Sequence, residues 1–221
     1  MIMEENKIIH VLETLSNLYG TRPWNWHTRQ KPFYVLIATI LSQRTRDPQT
    51  DEAAKRLFEK YPSPQDIAEA PLEAIEDLIK PVNFFKTKAR RVKEVSRIIW
   101  EKFEGKVPES FDDLINLPGV GRKTANCVLL YGFHKPALPV DTHVHRIANR
   151  LGWVRTSSPE ETESALNLIV PPQWISFVND LMVKHGQTFC YPKKPRCIDC
   201  PVASLCDYGI NIASQKPMSR S

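Results

Sequence analysis

Four of the five cysteines lie within seventeen residues near the C-terminus, at Cys190, Cys197, Cys200 and Cys206. This C-x6-C-x2-C-x5-C spacing narrows the fold of the segment sharply, because four thiolates so close in sequence can surround one metal centre. The spacing alone leaves a structural zinc ion and an iron–sulfur cluster open, since both take four cysteines. The fifth, Cys127, lies in an apolar segment and is expected in the core.

The N-terminus and the apolar runs indicate the compartment. Residues 1–5 lead into a polar segment instead of a basic stretch followed by an apolar run. The longest apolar run, 33–41, is far too short to cross a bilayer. We expect an intracellular protein, cytoplasmic or nucleoid-associated in a prokaryote. Thiols are reduced there, so clustered cysteines indicate metal before disulfides.

Helical spacing of apolar residues recurs along the chain and predicts an all-α fold. The helical segments are 4–19, 33–46, 86–103 and 174–185. The run from residue 33 could be a buried strand, but its length and its helical neighbours favour a buried helix. Three serines, each followed by an acidic residue three positions on, are typical of helix N-caps: Ser63, Ser110 and Ser158.

The formal charge is +5, from 30 Lys and Arg against 25 Asp and Glu. This modest excess is compatible with a polyanion partner but does not identify one. Six basic residues of the segment 86–103 lie off its apolar face: Lys86, Lys88, Arg90, Arg91, Lys93 and Arg97. They fit a solvated face and a DNA-facing one equally well.

The segment Leu117-Pro118-Gly119-Val120-Gly121-Arg122-Lys123-Thr124-Ala125 joins two helices through a tight turn. Gly119 and Gly121 permit backbone angles closed to other residues, and a turn that feeds a helix N-terminus points N–H groups outward. This arrangement suits a DNA phosphate, although a plain helix–turn–helix connection also fits. Lys123 lies in the first turn, where Arg122 and the helix N-terminus disfavour the ammonium form. The position therefore suits a nucleophilic amine.

The stretch Pro139-Val140-Asp141-Thr142-His143-Val144-His145-Arg146 places an aspartate at a helix start. Asp141 fits an N-cap, and this does not exclude a role in chemistry at a cleft edge. His143 and His145, two positions apart, do not share a helix face, which disfavours a metal site. His143 is expected to contact DNA or to be structural. Three charges between the first two cysteines, Lys193, Lys194 and Arg196, would form a basic loop for a phosphate backbone.

At these residues the chain resembles the endonuclease III family of DNA glycosylases. The segment 117–125 looks like the helix-hairpin-helix motif of that family, which implies that Lys123 is its catalytic lysine. The stretch 140–143 looks like the one that carries the catalytic aspartate, here Asp141. The cysteine spacing is the [4Fe–4S] ligand set of the family, so the resemblance favours iron–sulfur over zinc. It covers about residues 8–208, with three motifs in the family's order.

By resemblance, the fold consists of two all-helical lobes with a cleft between them. One lobe, 25–135, would carry the hairpin, and the other would join 1–24 to 136–221 and carry the cluster. Lys123 and Asp141 would face each other across the cleft.

Many family members have a Gln that fills the gap left by a flipped base. Ungapped alignment places Arg44 at that position, next to Gln43, and either side chain could insert. Phe84 stands where the family often has an apolar wedge. The resemblance thus implies duplex DNA as the partner, with the hairpin backbone at Gly119, Val120 and Gly121 among its contacts.

The activity implied is that of a bifunctional DNA glycosylase and AP lyase acting on oxidised or ring-saturated pyrimidines. A related enzyme acting on G·T or G·U mismatches is the nearest alternative, and Lys123 argues against it. A non-catalytic DNA-binding module and an electron-carrying iron–sulfur protein are further alternatives that leave Lys123 unexplained. The lack of a heptad seam makes a monomer the expectation.

Overall fold

The computed structural model describes residues 2–20 and 31–215, and in these ranges every regular element is helical. The α-helices are α1 Ile2–Tyr19, α2 Pro32–Ser42, α3 Asp47–Lys60, α4 Pro64–Glu69, α5 Leu72–Leu78, α6 Phe85–Lys102, α7 Phe111–Ile115, α8 Arg122–Cys127, α9 Thr142–Leu151, α10 Pro159–Ile169, α11 Ile175–Thr188 and α12 Asp207–Gln215. A π-helical turn, Val128–Gly132, continues α8, and 3-10 turns cover Pro172–Trp174, Cys197–Asp199 and Ala203–Leu205. The all-α prediction is confirmed.

The chain divides into two compact units, each with its own hydrophobic core. We call Trp26–Ala137 the hairpin unit. Met1–Asn25 together with Leu138–Ser221 is the cysteine unit. The predicted boundary between residues 24 and 25 lies outside the described residues.

Helix α2 is the centre of the hairpin unit. Its residues 33–41 are all buried except the half-buried Tyr34. The helix packs against α3, α6, α8 and the π-helical turn, so it is surrounded by apolar partners. Burying one aliphatic side chain of this size contributes about 1.5–3 kcal/mol. The interpretation of this run as a buried helix is therefore correct.

The helix starts follow the predicted cap chemistry. Three serines accept an N–H bond from the residue three positions on: Ser63, Ser110 and Ser158. At Ser63 the Asp66 carboxylate also accepts from the serine N–H, which completes a capping box. The Glu161 carboxylate instead accepts from the N–H of Ser157, one residue before the cap.

The core of the cysteine unit forms where α1, α9 and α11 meet. Its buried side chains include Leu12, Leu15, Val144, Leu181 and Met182. Helices α10 and α12 both pack against α9. Helix α9 is therefore the element through which the C-terminal segment joins this core.

Helix α6 requires a correction to the sequence analysis. Lys88, expected on a solvated or DNA-facing surface, is only 3% exposed. Three fully buried residues follow it at helical spacing: Val92, Val95 and Ile99. The exposed basic residues of the helix are Lys86, Arg90, Arg91, Arg97 and Lys102. Lys88 thus lies on the core stripe.

Within residues 2–20 and 31–215, the structure contains no helix that is both long enough and apolar enough to cross a membrane.

Candidate functional site

The hairpin between α7 and α8 is anchored by apolar residues and shaped by one glycine. Leu117 and Val120 are buried in the core, and the Val120 N–H donates to the Leu117 carbonyl at 3.1 Å. Gly119 has φ +74°, in the left-handed region that favours glycine. A Cβ there would lie 2.8 Å from Cδ of Arg91. Gly121, the N-cap of α8, has an ordinary φ of −96°, so the expectation of special backbone angles holds at Gly119 and is wrong at Gly121.

Lys123 occupies the first turn of α8, as the sequence predicted. It is half-buried, and the residues after it, Thr124 and Ala125, are buried. The Arg122 guanidinium lies over the Phe111 ring, 4.8 Å from its centroid. This cation–π contact ties the start of α8 to α7 and fixes the backbone that carries Lys123.

One loop of the hairpin unit contacts the hairpin through a hydrogen bond, and a second loop contacts the first. The Gln43 side-chain amide donates to the Gly119 carbonyl at 3.0 Å. The Asn83 side-chain amide donates to the Arg44 carbonyl at 2.6 Å, and the Asn83 N–H donates to Thr45 Oγ1 at 3.2 Å. The predicted gap-filling residues and the hairpin therefore belong to one connected surface.

Backbone strain coincides with three of the predicted DNA-contact residues, two in the hairpin unit and Lys194, at φ +52°, in the cysteine unit. Arg44 has φ +55° and Phe84 has φ +57°, and neither is a glycine. Such conformations cost roughly 1–2 kcal/mol each and cluster at functional sites. Phe84 is also 63% exposed, which is unusual for a phenylalanine. Both features fit side chains presented to a ligand.

Lys88 is a site residue that the sequence analysis missed. Its ammonium donates to the Leu41 carbonyl at 2.6 Å, the Gln43 carbonyl at 2.6 Å and Thr45 Oγ1 at 2.9 Å. Burial, and then the Arg91 charge, lower the pKa of Lys88 to about 8. Its place on the apolar stripe of α6 was a signal that could have found it.

Asp141 is the N-cap of α9, and its Oδ1 accepts from the His143 N–H at 2.8 Å and the Val144 N–H at 2.9 Å. The His143 ring packs against Gly186, where a Cβ would lie 2.2 Å from Nδ1. The same Nδ1 is 3.1 Å from Nη2 of Arg146. The two backbone N–H groups fix the Asp141 carboxylate. The contacts with Gly186 and Arg146 hold the His143 ring.

One small cavity of the cysteine unit is lined by all four clustered cysteines. Burial, and more weakly the neighbouring thiolates, raise the pKa of Cys200 to about 11. Nη1 of Arg150 lies 3.3 Å from the Cys190 sulfur, and Nε2 of His185 lies 3.6 Å from the Cys200 sulfur. Among the described residues, no three His, Cys, Asp or Glu side chains are grouped closely enough to hold a single metal ion. Burial in this cavity raises the pKa of Cys197, Cys200 and Cys206, which opposes their ionisation unless a positive centre offsets the charge.

Two arginines of α9 hold the start of the cysteine loop. Arg146 donates twice to the Cys190 carbonyl, at 3.2 and 2.8 Å. Arg150 donates to the carbonyls of Tyr191 and Pro192 at 2.7 and 2.9 Å. This segment is therefore fixed to the core helix of the unit.

The basic residues of the cysteine loop differ in their surroundings. Lys193 and Lys194 are exposed. Arg196 forms an exposed ion pair with Asp199 at 2.9 Å and lies over the Phe189 ring. Two of the three predicted phosphate contacts thus present their charge openly, and the third shares it with a carboxylate. Cys127 is buried in the hairpin unit, as predicted.

Comparisons with known proteins give the family. The family model described as "HhH-GPD superfamily base excision DNA repair protein" matches residues 37–172. Endonuclease III of Thermotoga maritima is 52% identical over 182 residues, covering 82% of this chain and 85% of the relative. Endonuclease III of Bacillus subtilis is 39% identical over 179 residues, covering 80% and 82%.

Solved structures agree with these relatives. A trapped endonuclease III–DNA covalent intermediate matches with a TM-score of 0.87 and 35% identity, covering 95% of this chain and 98% of that one. A thermostable thymine-DNA glycosylase matches with a TM-score of 0.83 and 27% identity, covering 93% and 98%. The chain therefore belongs to the HhH-GPD superfamily of base excision DNA repair proteins. Within it, the chain groups with the endonuclease III family, which confirms the resemblance of its motifs.

Proposed function

We propose that this chain is a bifunctional DNA glycosylase and AP lyase that removes oxidised or ring-saturated pyrimidines from duplex DNA and then cuts the strand. The observation that carries the proposal is Lys123 in the first turn of the helix after the hairpin. An amine at this place can form an imine with the sugar, which a hydroxyl or water cannot do. Family membership supports the enzyme class, and the relatives named endonuclease III support the pairing of glycosylase with lyase.

In the proposed reaction, the damaged nucleotide leaves the base stack before any bond breaks. The neutral Lys123 amine attacks C1′, so that a bond from Nζ to C1′ forms while the glycosidic bond breaks and the base departs. The sugar ring then opens to an imine. Loss of the C2′ proton breaks the C3′–O bond, and the strand is cut by β-elimination. The Asp141 carboxylate stabilises positive charge that develops on the sugar.

The remaining hairpin-unit residues would hold the DNA. The backbone N–H groups around Gly119, Val120 and Gly121 would bind a phosphate near the lesion. Phe84 and either Gln43 or Arg44 would fill the space that the flipped nucleotide leaves. The exposed positions and left-handed φ of Arg44 and Phe84 support this assignment, whereas Gln43 is half-buried with an ordinary φ of −54°.

The cysteine unit would contribute further DNA contacts. Lys193, Lys194 and Arg196 would contact the phosphate backbone, and His143 would be a further DNA contact. We propose that the protein acts on DNA as a monomer.

We also propose that Cys190, Cys197, Cys200 and Cys206 hold a [4Fe–4S] cluster. Their shared cavity, and the raised pKa of Cys197, Cys200 and Cys206, fit a positive iron centre. When bound, the cluster would cross-link the C-terminal segment. Four cysteine ligands leave no open position for a substrate, so bond breaking is assigned to Lys123.

The proposal is tested by borohydride trapping on duplexes that carry thymine glycol, with wild type and Lys123→Gln. We expect a covalent adduct with wild type and none with the variant, because only an amine forms the reducible imine. Lys55→Gln, which removes an exposed lysine of the same unit, is the control and should trap normally. Base release by wild type without any adduct would contradict the lyase and leave a water-using glycosylase.

A second candidate is a glycosylase for mismatched thymine or uracil, favoured by the likeness to the thymine-DNA glycosylase structure. The same trapping on G·T and G·U duplexes separates the two. An adduct with the mismatches alone would keep the Lys123 mechanism and change the substrate.

A further inference from the structure

One buried charge, the Lys88 ammonium, holds the loop between α2 and α3. Helix α2 ends at Ser42, and its last carbonyls lack partners within the helix. The Lys88 ammonium is such a partner, because it donates to the Leu41 carbonyl, the Gln43 carbonyl and Thr45 Oγ1. A cation at a helix C-terminus is also favoured by the helix dipole. Lys88 thus caps α2 and fixes three residues around the turn that follows it, namely Leu41, Gln43 and Thr45.

The same loop is held from its other side by Asn83. Its side chain donates to the Arg44 carbonyl, and its N–H donates to Thr45 Oγ1, which also accepts from Lys88. Asn83 directly precedes Phe84. The position of Phe84 and the strained φ of Arg44 are therefore coupled through Asn83, and Asn83 and the Lys88 ammonium both donate to Thr45 Oγ1.

We propose that Lys88 is a positioning residue, whose buried ammonium holds Gln43, Arg44 and Phe84 in the arrangement that fills the gap in duplex DNA. The inference rests on the proposed function. Lys88 itself is too buried to touch DNA, so it acts through the loop. Only double-stranded DNA contains a gap and an opposite base, so the effect of Lys88 is specific to duplex substrates.

Helix α6 supplies a matched control. Lys93, one turn further along, also directs its ammonium to two backbone carbonyls, those of Ala68 at 2.7 Å and of Ala70. These carbonyls belong to the end of α4 and not to the loop that carries Gln43. A Lys93→Met variant therefore removes the same kind of interaction from the same helix and leaves the gap-filling residues in place.

The test compares wild type, Lys88→Met and Lys93→Met on two abasic substrates. The first is a duplex with 2-aminopurine opposite the abasic site, whose fluorescence reports whether a side chain enters the gap. The second is a single-stranded oligonucleotide with the same abasic site. Borohydride trapping is measured on both under single-turnover conditions. Lys88→Arg is included because a second cation could restore part of the cap.

We expect Lys88→Met to trap roughly 10- to 100-fold more slowly on the duplex, with a reduced fluorescence change, because small misplacements of positioning groups have effects of this size. Trapping on the single strand should stay within about twofold of wild type. Lys93→Met should behave as wild type on both substrates, and Lys88→Arg should recover part of the duplex rate.

Three results would overturn the inference. Equal rates for Lys88→Met and wild type on both substrates would show that the ammonium is not needed. An equal loss on duplex and single strand would show a general defect of the site instead of a loop effect. Wild type that traps on neither substrate would overturn the proposed function, and the inference with it.

Discussion

The hairpin unit and the cysteine unit both hold ionisable side chains beneath a loop, buried in the first and half-buried in the second, but they do so in different ways. In the hairpin unit, Lys88 meets three protein acceptors, so the hydrogen bonds of the ammonium are already made within the chain. In the cysteine unit, burial and the neighbouring thiolates raise the pKa of Cys197, Cys200 and Cys206 and so oppose their ionisation. The first loop is complete as folded, whereas the second is expected to need a cluster. Stability and DNA contact should therefore respond to different perturbations in the two units.

The largest expected effect is loss of the cluster. Cys200→Ser removes the thiol whose pKa is raised to about 11, and we expect the iron content and the visible absorption to disappear. Without the cross-link, residues 190–212 should exchange amide hydrogens as if destabilised by roughly 3 kcal/mol or more. The amides of the hairpin unit should keep their protection. Iron analysis and hydrogen exchange by mass spectrometry measure both.

The fifth cysteine is the control for this experiment. Cys127→Ala removes a buried thiol from the hairpin unit and should lower stability by about 1 kcal/mol with full iron content. Iron lost equally from both variants, or exchange that rises equally in both units, would contradict the contrast between them.

The sequence predicted a metal centre at the four cysteines but missed the buried Lys88, and the reason is physical. Four cysteines at short spacing have few alternatives to a metal centre, so their spacing alone was informative. A lysine within a basic segment has an obvious alternative at the surface, and its partners, the carbonyls of Leu41 and Gln43, come from a helix more than forty residues away. Such a contact depends on tertiary packing and is not encoded in local periodicity.

The helices and caps were predictable because they are local. Ser63 and Ser158 were read correctly from the acidic residue three positions on, and α2 from its apolar run. The strained φ of Arg44 and of Phe84 carries no local signature, since neither residue is a glycine. The part of the site that the sequence left out is thus the part that long-range contacts impose.

The next effect concerns chemistry and not stability. Asp141→Asn keeps a good N-cap, since asparagine caps as well as aspartate, but removes the carboxylate charge. If Asp141 stabilises the developing charge, single-turnover cleavage should fall by roughly 10²- to 10⁴-fold while the unfolding free energy changes by less than about 1 kcal/mol.

Ser158→Ala is the opposite case, because it removes a cap of the same unit at a site with no assigned chemistry. It should lower stability by about 1 kcal/mol and leave cleavage unchanged. Full activity of Asp141→Asn would reduce Asp141 to its capping role.

The contrast in buried charge also predicts a pH dependence. Folding lowers the pKa of Lys88 from 10.5 to about 8, so between these values the unfolded chain binds more protons than the folded one. Stability must then rise with pH across this window, by at most about 3 kcal/mol. Below about pH 8 both states carry the proton, and this contribution is constant.

Urea unfolding of wild type and of Lys88→Met from pH 7.5 to 10.5 measures this contribution. Arg91 and every other group are shared by the two proteins, so the difference between their unfolding free energies isolates Lys88. The difference should change in favour of wild type as the pH rises. Parallel curves for the two proteins would mean that the three hydrogen bonds of the ammonium offset its burial.

The smallest effect separates backbone strain from packing in the hairpin. Gly119→Ala places a Cβ at φ +74° and 2.8 Å from Cδ of Arg91, so we expect a loss of about 1–2 kcal/mol in stability and weaker binding to a duplex abasic analogue. Gly121→Ala adds a Cβ at φ −96° with no atom within 4 Å, and should change stability by less than about 0.5 kcal/mol.

Combining Gly119→Ala with Arg91→Ala removes the close contact and keeps the strain. Recovery in the double variant would assign the loss to packing, whereas an unchanged loss would assign it to the backbone conformation that only glycine adopts easily. Equal losses at the two glycines would contradict the distinction between them and return both to the role of a simple turn.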